Sequence, residues 1–207
     1  MNVRSRPPLR VAILAAGHSR RLGTPKALAR VHGLSLLRRT ALALLPFGDL
    51  PLLVIAPPRA QRYALELRGL PARILANPRR AEGQSSSVRL AIARAGAAGA
   101  LLILPVDLVD LRAREIARLV SVWRAAPRRL TARRIDDSGG APLILPRALF
   151  RRAAAASGDQ GLKSMFRALP PSARRGVALP SAEADVDTPT DLRAARRRYR
   201  SGPPRRA

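Results

Sequence analysis

Four stretches of this 207-residue chain carry side chains that could handle a polyphosphate and a metal ion. The first is Leu14-Ala15-Ala16-Gly17-His18-Ser19-Arg20-Arg21-Leu22-Gly23-Thr24-Pro25-Lys26, which follows an aliphatic run. Small residues after a strand let backbone N–H groups approach phosphate oxygens, because no side chain stands in the way. Arg21 and Lys26 add cationic donors able to neutralise a triphosphate and the charge developing on leaving pyrophosphate. No Gly-Lys-Ser/Thr closes the loop as in a P-loop, and the Gly-x-Gly-x-x-Gly of dinucleotide-binding turns is absent. On these residues alone, an ordinary strand-to-helix turn with Gly17 and Gly23 serving its backbone is the simpler reading.

The second stretch, Asn77 to Arg89, contains Ser85-Ser86-Ser87 at the start of an expected helix. Free N–H groups and hydroxyls there can bind an anion or a base edge, or the serines can simply cap the helix. In the third, Leu101-Leu102-Ile103-Leu104-Pro105-Val106-Asp107-Leu108, an aspartate ends a buried strand. Magnesium prefers carboxylate oxygens and keeps several waters, so Asp107 is placed to hold Mg²⁺ against phosphates. The alternative is a cap for a helix beginning near residue 112, a role Asp110 could equally fill. The fourth stretch is Ala184-Asp185-Val186-Asp187-Thr188-Pro189-Thr190-Asp191-Leu192. It offers Asp187, or Asp185 as substitute, as a second metal carboxylate, and again each could be a cap.

Elements that would position these residues are legible in the hydropathy pattern. Aliphatic runs at 9–14, 52–56, 72–76 and 100–104 read as buried strands, with helical periodicity at 35–45, 59–68 and 85–95. A helix is expected over 112–126, strands at 129–134 and 142–145, helices at 147–154 and 160–168, a strand at 175–179, and a helix over 189–198. Thr188 is the expected cap of that last helix, with Pro189 in its first turn. Alternating β and α segments predict an α/β fold with a mainly parallel sheet covered on both faces. Ligands in such sheets sit at the carboxyl ends of strands, where the four stretches fall. Residues 1–200 read as one domain and 201–207 as a basic, disordered tail.

Composition narrows the function classes. A hydrophobic content of 47 % permits a sizeable core, and the absence of cysteine excludes disulfides, thiolate zinc sites and cysteine nucleophiles. Aromatics are only 3 %, so a nucleobase would find few rings to stack on, and Trp123, in a helical stretch, reads as packing. With two histidines, His18 in the glycine loop and His32 before Gly33 in a turn, no Ser-His-Asp constellation can be built. The net charge of +26 would attract anions, nucleic acid included, but only Lys26 and Lys163 among 39 basic residues are lysines. Such a bias also looks like GC-rich codon usage, which carries no functional message and is the simpler reading for most of these arginines. No basic recognition motif accompanies the charge, so nucleic acid is not an expected partner. The 9–16 run is interrupted by Arg10 and too short for a membrane span, and a cytoplasmic protein is expected.

The full string Leu-Ala-Ala-Gly-x-Ser-x-Arg-x-Gly-x-Pro-Lys closely resembles the signature loop of the molybdopterin nucleotidyltransferases, most of all their molybdenum cofactor cytidylyltransferase branch. The resemblance spans roughly residues 9–195. It implies a three-layer α/β sandwich of the Rossmann-like nucleotidyltransferase type. By the same resemblance Arg21 and Lys26 contact phosphates, while Leu14, Ala15 and Ala16 lie beside the base and ribose, with Gly17 in the phosphate turn. Ser85 and Ser86 fall in a segment similar to the family's Asn-Pro…Gly-Met-Ser-Ser-Ser, with Gln84 in place of Met. Asp107 matches the metal-binding aspartate, with Val109 where a proline is usual, and Asp187 matches the acidic group of a terminal Asp-x-Asp-Thr-Pro-Glu-Asp-Leu. Two further echoes concern the acceptor: 139–146, where Ala141 replaces a histidine, and 157–163, where Lys163 matches an arginine.

The activity so implied is transfer of CMP from CTP to a phosphorylated acceptor, molybdopterin cofactor, with Mg²⁺ and release of pyrophosphate. Arg21, Lys26 and Asp107 would be the catalytic set, and a molybdenum hydroxylase would receive the product. The residues leave open GTP as donor, a sugar phosphate as acceptor, or an accessory protein that binds the cofactor without turnover.

Overall fold

Side-chain alternation along two aliphatic strands sets the architecture. In the computed structural model, which describes residues 6–135, 138–156, 161–183 and 185–199, β1 (Leu9–Leu14) has a parallel neighbour on each side. Strands β2 (Arg30–Val31) and β3 (Leu34–Ser35) form a separate small hairpin. The main sheet adds β4 (Leu50–Ala56), β5 (Ala72–Ala76), β6 (Ala100–Pro105), β7 (Leu130–Ile135), β8 (Ser138–Pro146) and β9 (Arg174–Val177). Its order is β5-β4-β1-β6-β8-β7-β9, and β8 alone runs against its neighbours.

Leu9, Val11 and Ile13 of β1 join Leu102 and Leu104 of β6 in one apolar cluster, whereas Ala12, Leu14, Leu101 and Ile103 enter the other. Period-two alternation thus feeds two cores, which is why these strands read as unbroken aliphatic runs. Helices α1 (Leu36–Leu44), α2 (Gln61–Glu66), α4 (Ala113–Ala125) and α7 (Pro189–Tyr199) cover the first core. Helices α3 (Gln84–Ala93), α5 (Phe150–Ala155) and α6 (Gly161–Arg167) cover the second. The expected three-layer α/β sandwich with a mainly parallel sheet is what forms.

Several boundaries differ for local reasons. Helix α2 starts at Gln61 because Arg59 is held at a positive φ of 60° after two prolines. The turn at His32-Gly33 has φ of 49° and 76°, the left-handed pair of a tight hairpin turn, and it creates β2 and β3, which two-residue strands do not announce in sequence. Thr188 caps α7 as expected: its Oγ1 accepts from Asp191 N–H at 3.2 Å while Asp191 Oδ2 accepts from Thr188 N–H at 2.7 Å. Neither Asp107 nor Asp110 caps α4, where Glu115 and Ser181 take the Arg112 N–H and Asp110 pairs with Arg198. The 157–160 part of the acceptor echo and the 201–207 tail lie outside the described residues. No helix among the described residues is long and apolar enough to cross a membrane.

Candidate active site

A cleft of about 500 Å³ opens at the carboxyl ends of β1 and β6. It is lined by Leu14, Ala15, Ala16, Gly17, Arg21, Lys26, Asp107 and Asp187, residues that the sequence singles out in three separate segments. The backbone explains their convergence. Val106 N–H donates to Leu14 O at 3.2 Å, which sets the end of β6 beside the glycine loop. Leu108 forms an antiparallel bridge with Asp185, and Val186 N–H donates to Asp107 O at 3.2 Å. The segment before α7 is thereby pinned to the Asp107 turn. Asp191 Oδ2 fixes it further by accepting from Asp187 N–H at 3.1 Å.

The glycine loop is a built structure. Ser19, at φ 51°, accepts from Leu22 and Gly23 N–H through its carbonyl, and its Oγ accepts from Lys26 N–H at 2.9 Å. Ala15 N–H is taken by Ile55 O at 2.8 Å, but the amides of Ala16, Gly17 and His18 have no acceptor among the described residues. A Cβ at Gly17 would meet nothing within 4 Å, so its absence keeps the cleft side of the turn open. Such free amides beside cationic side chains form a concavity suited to phosphate oxygens.

The same cleft carries two carboxylates. Lys26 Nζ donates to Asp107 Oδ2 at 2.8 Å and to Asp187 Oδ1 at 2.5 Å, and Arg21 pairs with Asp187 from the solvent side. Asp107 Oδ1 is buried with no hydrogen-bond partner among the described residues. Burial by itself would lower the Lys26 ammonium, but the charges and hydrogen bonds of Asp107 and Asp187 outweigh it and raise the group. The same hydrogen bond from Lys26, against the opposing effect of burial, holds Asp187 below the usual carboxylate range.

Asp185 behaves differently. Although part of its surface is open, burial of the carboxyl and the neighbouring Asp107 charge push it up to about 6, with Asp187 adding to the shift and Arg133 and Lys26 opposing it. A carboxyl whose folded pKa is raised binds protons more tightly when folded, so ionising it costs stability as pH rises from about 4 through 6. Asp185→Asn is therefore expected to raise Tm at pH 8, with the gain shrinking at pH 5. An equal gain at both values in paired thermal melts would refute this account.

The serine segment is partly rearranged relative to expectation. Helix α3 begins one residue early, at Gln84, after Gly83 at φ 88°. All three serines are buried, but of them only Ser87 lines the cleft, as does Gln84 at the start of α3. Buried Asn77 donates to Ser86 Oγ at 2.9 Å and Ser87 Oγ at 3.0 Å, and Ser86 Oγ donates to Gly83 O at 2.8 Å. Two of the three hydroxyls thus brace the turn. Arg80 also lines the cleft and reaches Ala16 O at 3.4 Å, but nothing in an arginine-rich sequence marks it out. Of the acceptor echoes, Ala141 and Lys163 line a smaller cavity that shares Leu14 and Gln84 with the main cleft. Trp123 is fully buried against the first core, far from any stacking role in the cleft lining.

Comparison with known proteins bears on the fold and the family. A "Probable molybdenum cofactor guanylyltransferase" of Rhodopirellula baltica is 31 % identical over 192 residues, covering 90 % of each chain. The crystal structure of Rv0371c from Mycobacterium tuberculosis H37Rv superimposes with a TM-score of 0.73 at 26 % identity, covering 92 % of this chain and 98 % of that one. A manganese complex of Rv0371c aligns at 22 % identity, with a TM-score of 0.72 over 93 % and 100 % of the two chains. 2-C-methyl-D-erythritol 4-phosphate cytidylyltransferase from Thermus thermophilus shares the fold at 20 % identity, with a TM-score of 0.69 over 93 % and 99 %. The family model of the MobA-like NTP transferase domain matches residues 11–174. With most of its length matched by that model, and the glycine loop and Asp107 inside the matched region, the chain belongs to the MobA-like NTP transferase family and is a nucleotidyltransferase.

Proposed function

We propose that this protein transfers CMP from CTP to a phosphorylated acceptor of the molybdopterin type, releasing pyrophosphate. The observation that carries the reading is the pair of unsatisfied groups in one cleft. Among the described residues the amides of Ala16, Gly17 and His18 have no acceptor and suit phosphate oxygens, while the buried Asp107 Oδ1 has no hydrogen-bond partner and suits a cation. An orphaned carboxylate oxygen beside a second carboxylate, Asp187, fits a hard divalent ion such as Mg²⁺. When bound, that ion supplies charge neutralisation on the triphosphate.

An oxygen of the acceptor phosphate forms a bond to the α-phosphorus while the bond from that phosphorus to the β-bridging oxygen breaks, and pyrophosphate leaves with the electron pair. The attacking oxygen is already anionic, so no protein nucleophile or strong base is required. The chain's work is positioning and electrostatics. The glycine loop orients the phosphates, Arg21 and Lys26 take up the charge on the leaving group, and Leu14, Ala15 and Ala16 flank the nucleoside. In this reading the modified cofactor passes to a molybdenum hydroxylase in the cytoplasm.

GTP is the second reading, favoured by the guanylyltransferase description of the Rhodopirellula relative. The Ala-Ala-Gly opening of the loop supports CTP through its resemblance to the cytidylyltransferase branch. Thermal shift against the four nucleoside triphosphates with Mg²⁺ tests both assignments. The largest rise in Tm is expected with CTP; a larger rise with GTP reassigns the base, and no rise with any triphosphate removes the enzymatic reading.

A further inference from the structure

The space between Asp107 and Asp187 already contains a positive charge. Lys26 Nζ lies 2.8 Å from Asp107 Oδ2 and 2.5 Å from Asp187 Oδ1, on a side chain only 15 % exposed. A magnesium ion held by both carboxylates, with Asp107 Oδ1 among its ligands, would have to reach Asp187 through the place the ammonium occupies between them. Ammonium and metal therefore contend for one position, because two cations so close together in a partly buried site repel strongly. An evicted ammonium needs another anion. Among the described residues lining the cleft the acids are Asp107 and Asp187 alone; the other charged groups are Arg20, Arg21 and Arg80. A triphosphate seated in the glycine loop, which Lys26 itself closes through its N–H on Ser19 Oγ, brings the missing negative charge.

We propose that Lys26 is a placeholder cation: it fills the divalent-ion position in the free protein and vacates it for a phosphate only when nucleotide arrives, so metal and nucleotide load as a pair. This rests on the reading of the cleft given above. The same side chain then serves twice, first keeping two aspartates together without metal and later neutralising the polyphosphate. Its consequence is that the free protein resists idle occupation by divalent ions.

Mn²⁺ is the probe, with free ion followed by electron paramagnetic resonance and binding checked by thermal shift. Without nucleotide, Lys26→Met is expected to bind Mn²⁺ roughly tenfold or more tightly than the wild type, in the range of ordinary site–site coupling. Mn²⁺ should also raise its Tm more than that of the wild type. Lys26→Gln retains a hydrogen-bond donor, guards against a folding defect in the methionine variant, and should move in the same direction. Arg21→Met removes the more exposed cation from Asp187 and measures the general field effect; it should change Mn²⁺ affinity by less than about threefold, as a screened surface pair does. Wild-type Mn²⁺ affinity in both Lys26 variants, or an Arg21→Met effect as large as theirs, overturns the placeholder. The reading of the cleft is tested separately by Asp107→Asn, which should lose the Tm rise produced by Mn²⁺ and CTP together. If Asp107→Asn keeps that rise, the cleft reading fails and the placeholder with it.

Discussion

Asp107→Asn is expected to lower pyrophosphate release with CTP and acceptor by about 10²–10³-fold, the scale associated with removing one preorganised electrostatic group from a reacting phosphate. Asparagine has the shape of aspartate, and the Asp107 backbone contacts with Val109 and Val186 do not use the side chain. Lys26 keeps Asp187 as its partner. The variant should therefore fold, and its loss should appear in kcat rather than in expression or in the circular dichroism spectrum. The neutral amide offers one carbonyl oxygen where a carboxylate offered two, one of them the buried Oδ1 that has no partner among the described residues. Steady-state pyrophosphate release decides the matter; activity within tenfold of wild type would show that the cation is held elsewhere.

Trp123→Ala should produce the largest stability loss, with the nucleotide response preserved. Trp123 is completely buried on α4 in the first core, and its Nε1–H donates to Pro127 O at 3.2 Å. Truncating a buried tryptophan typically costs about 3–5 kcal/mol, from lost transfer energy and the cavity left behind. Against a total stability of about 5–15 kcal/mol this is a large fraction. For a chain of this size it corresponds to a fall in Tm of roughly 10 °C. Urea denaturation gives the loss directly, and the CTP-induced rise in Tm, measured on the folded variant, should match the wild type. Unchanged stability with a lost nucleotide response would restore base stacking, the alternative that the scarcity of aromatic residues brings to mind.

How much was legible follows the range of the forces involved. The buried strands, the glycine loop and the strand-end aspartate are local patterns: aliphatic runs, small residues, and a carboxylate where a run stops. They carry through to β1, β6 and Asp107. What the residues could not specify depends on partners distant in sequence. The two carboxylate assignments for residues 185 and 187 are separated only by the Leu108–Asp185 bridge, which leaves Asp187 beside Lys26. Likewise Ser85, Ser86 and Ser87 look equivalent as letters, yet Asn77, eight or more positions earlier in sequence, bonds only the latter two, and of the three only Ser87 lines the cleft. Arg80 was hidden for a different reason, since its type is the commonest charged one in the chain.

Helix α7 is tied back to the β2–β3 hairpin, where His32 Nε2 lies 2.9 Å from Arg196 O and Arg196 Nε donates to Arg30 O at 3.0 Å. Because 161 positions separate Lys26 from Asp187, their pairing forms only after the whole intervening span has been synthesised. A shortened chain lacking residue 187 would leave Lys26 with Asp107 alone, and the cation-holding role proposed above for the second carboxylate would be lost with it.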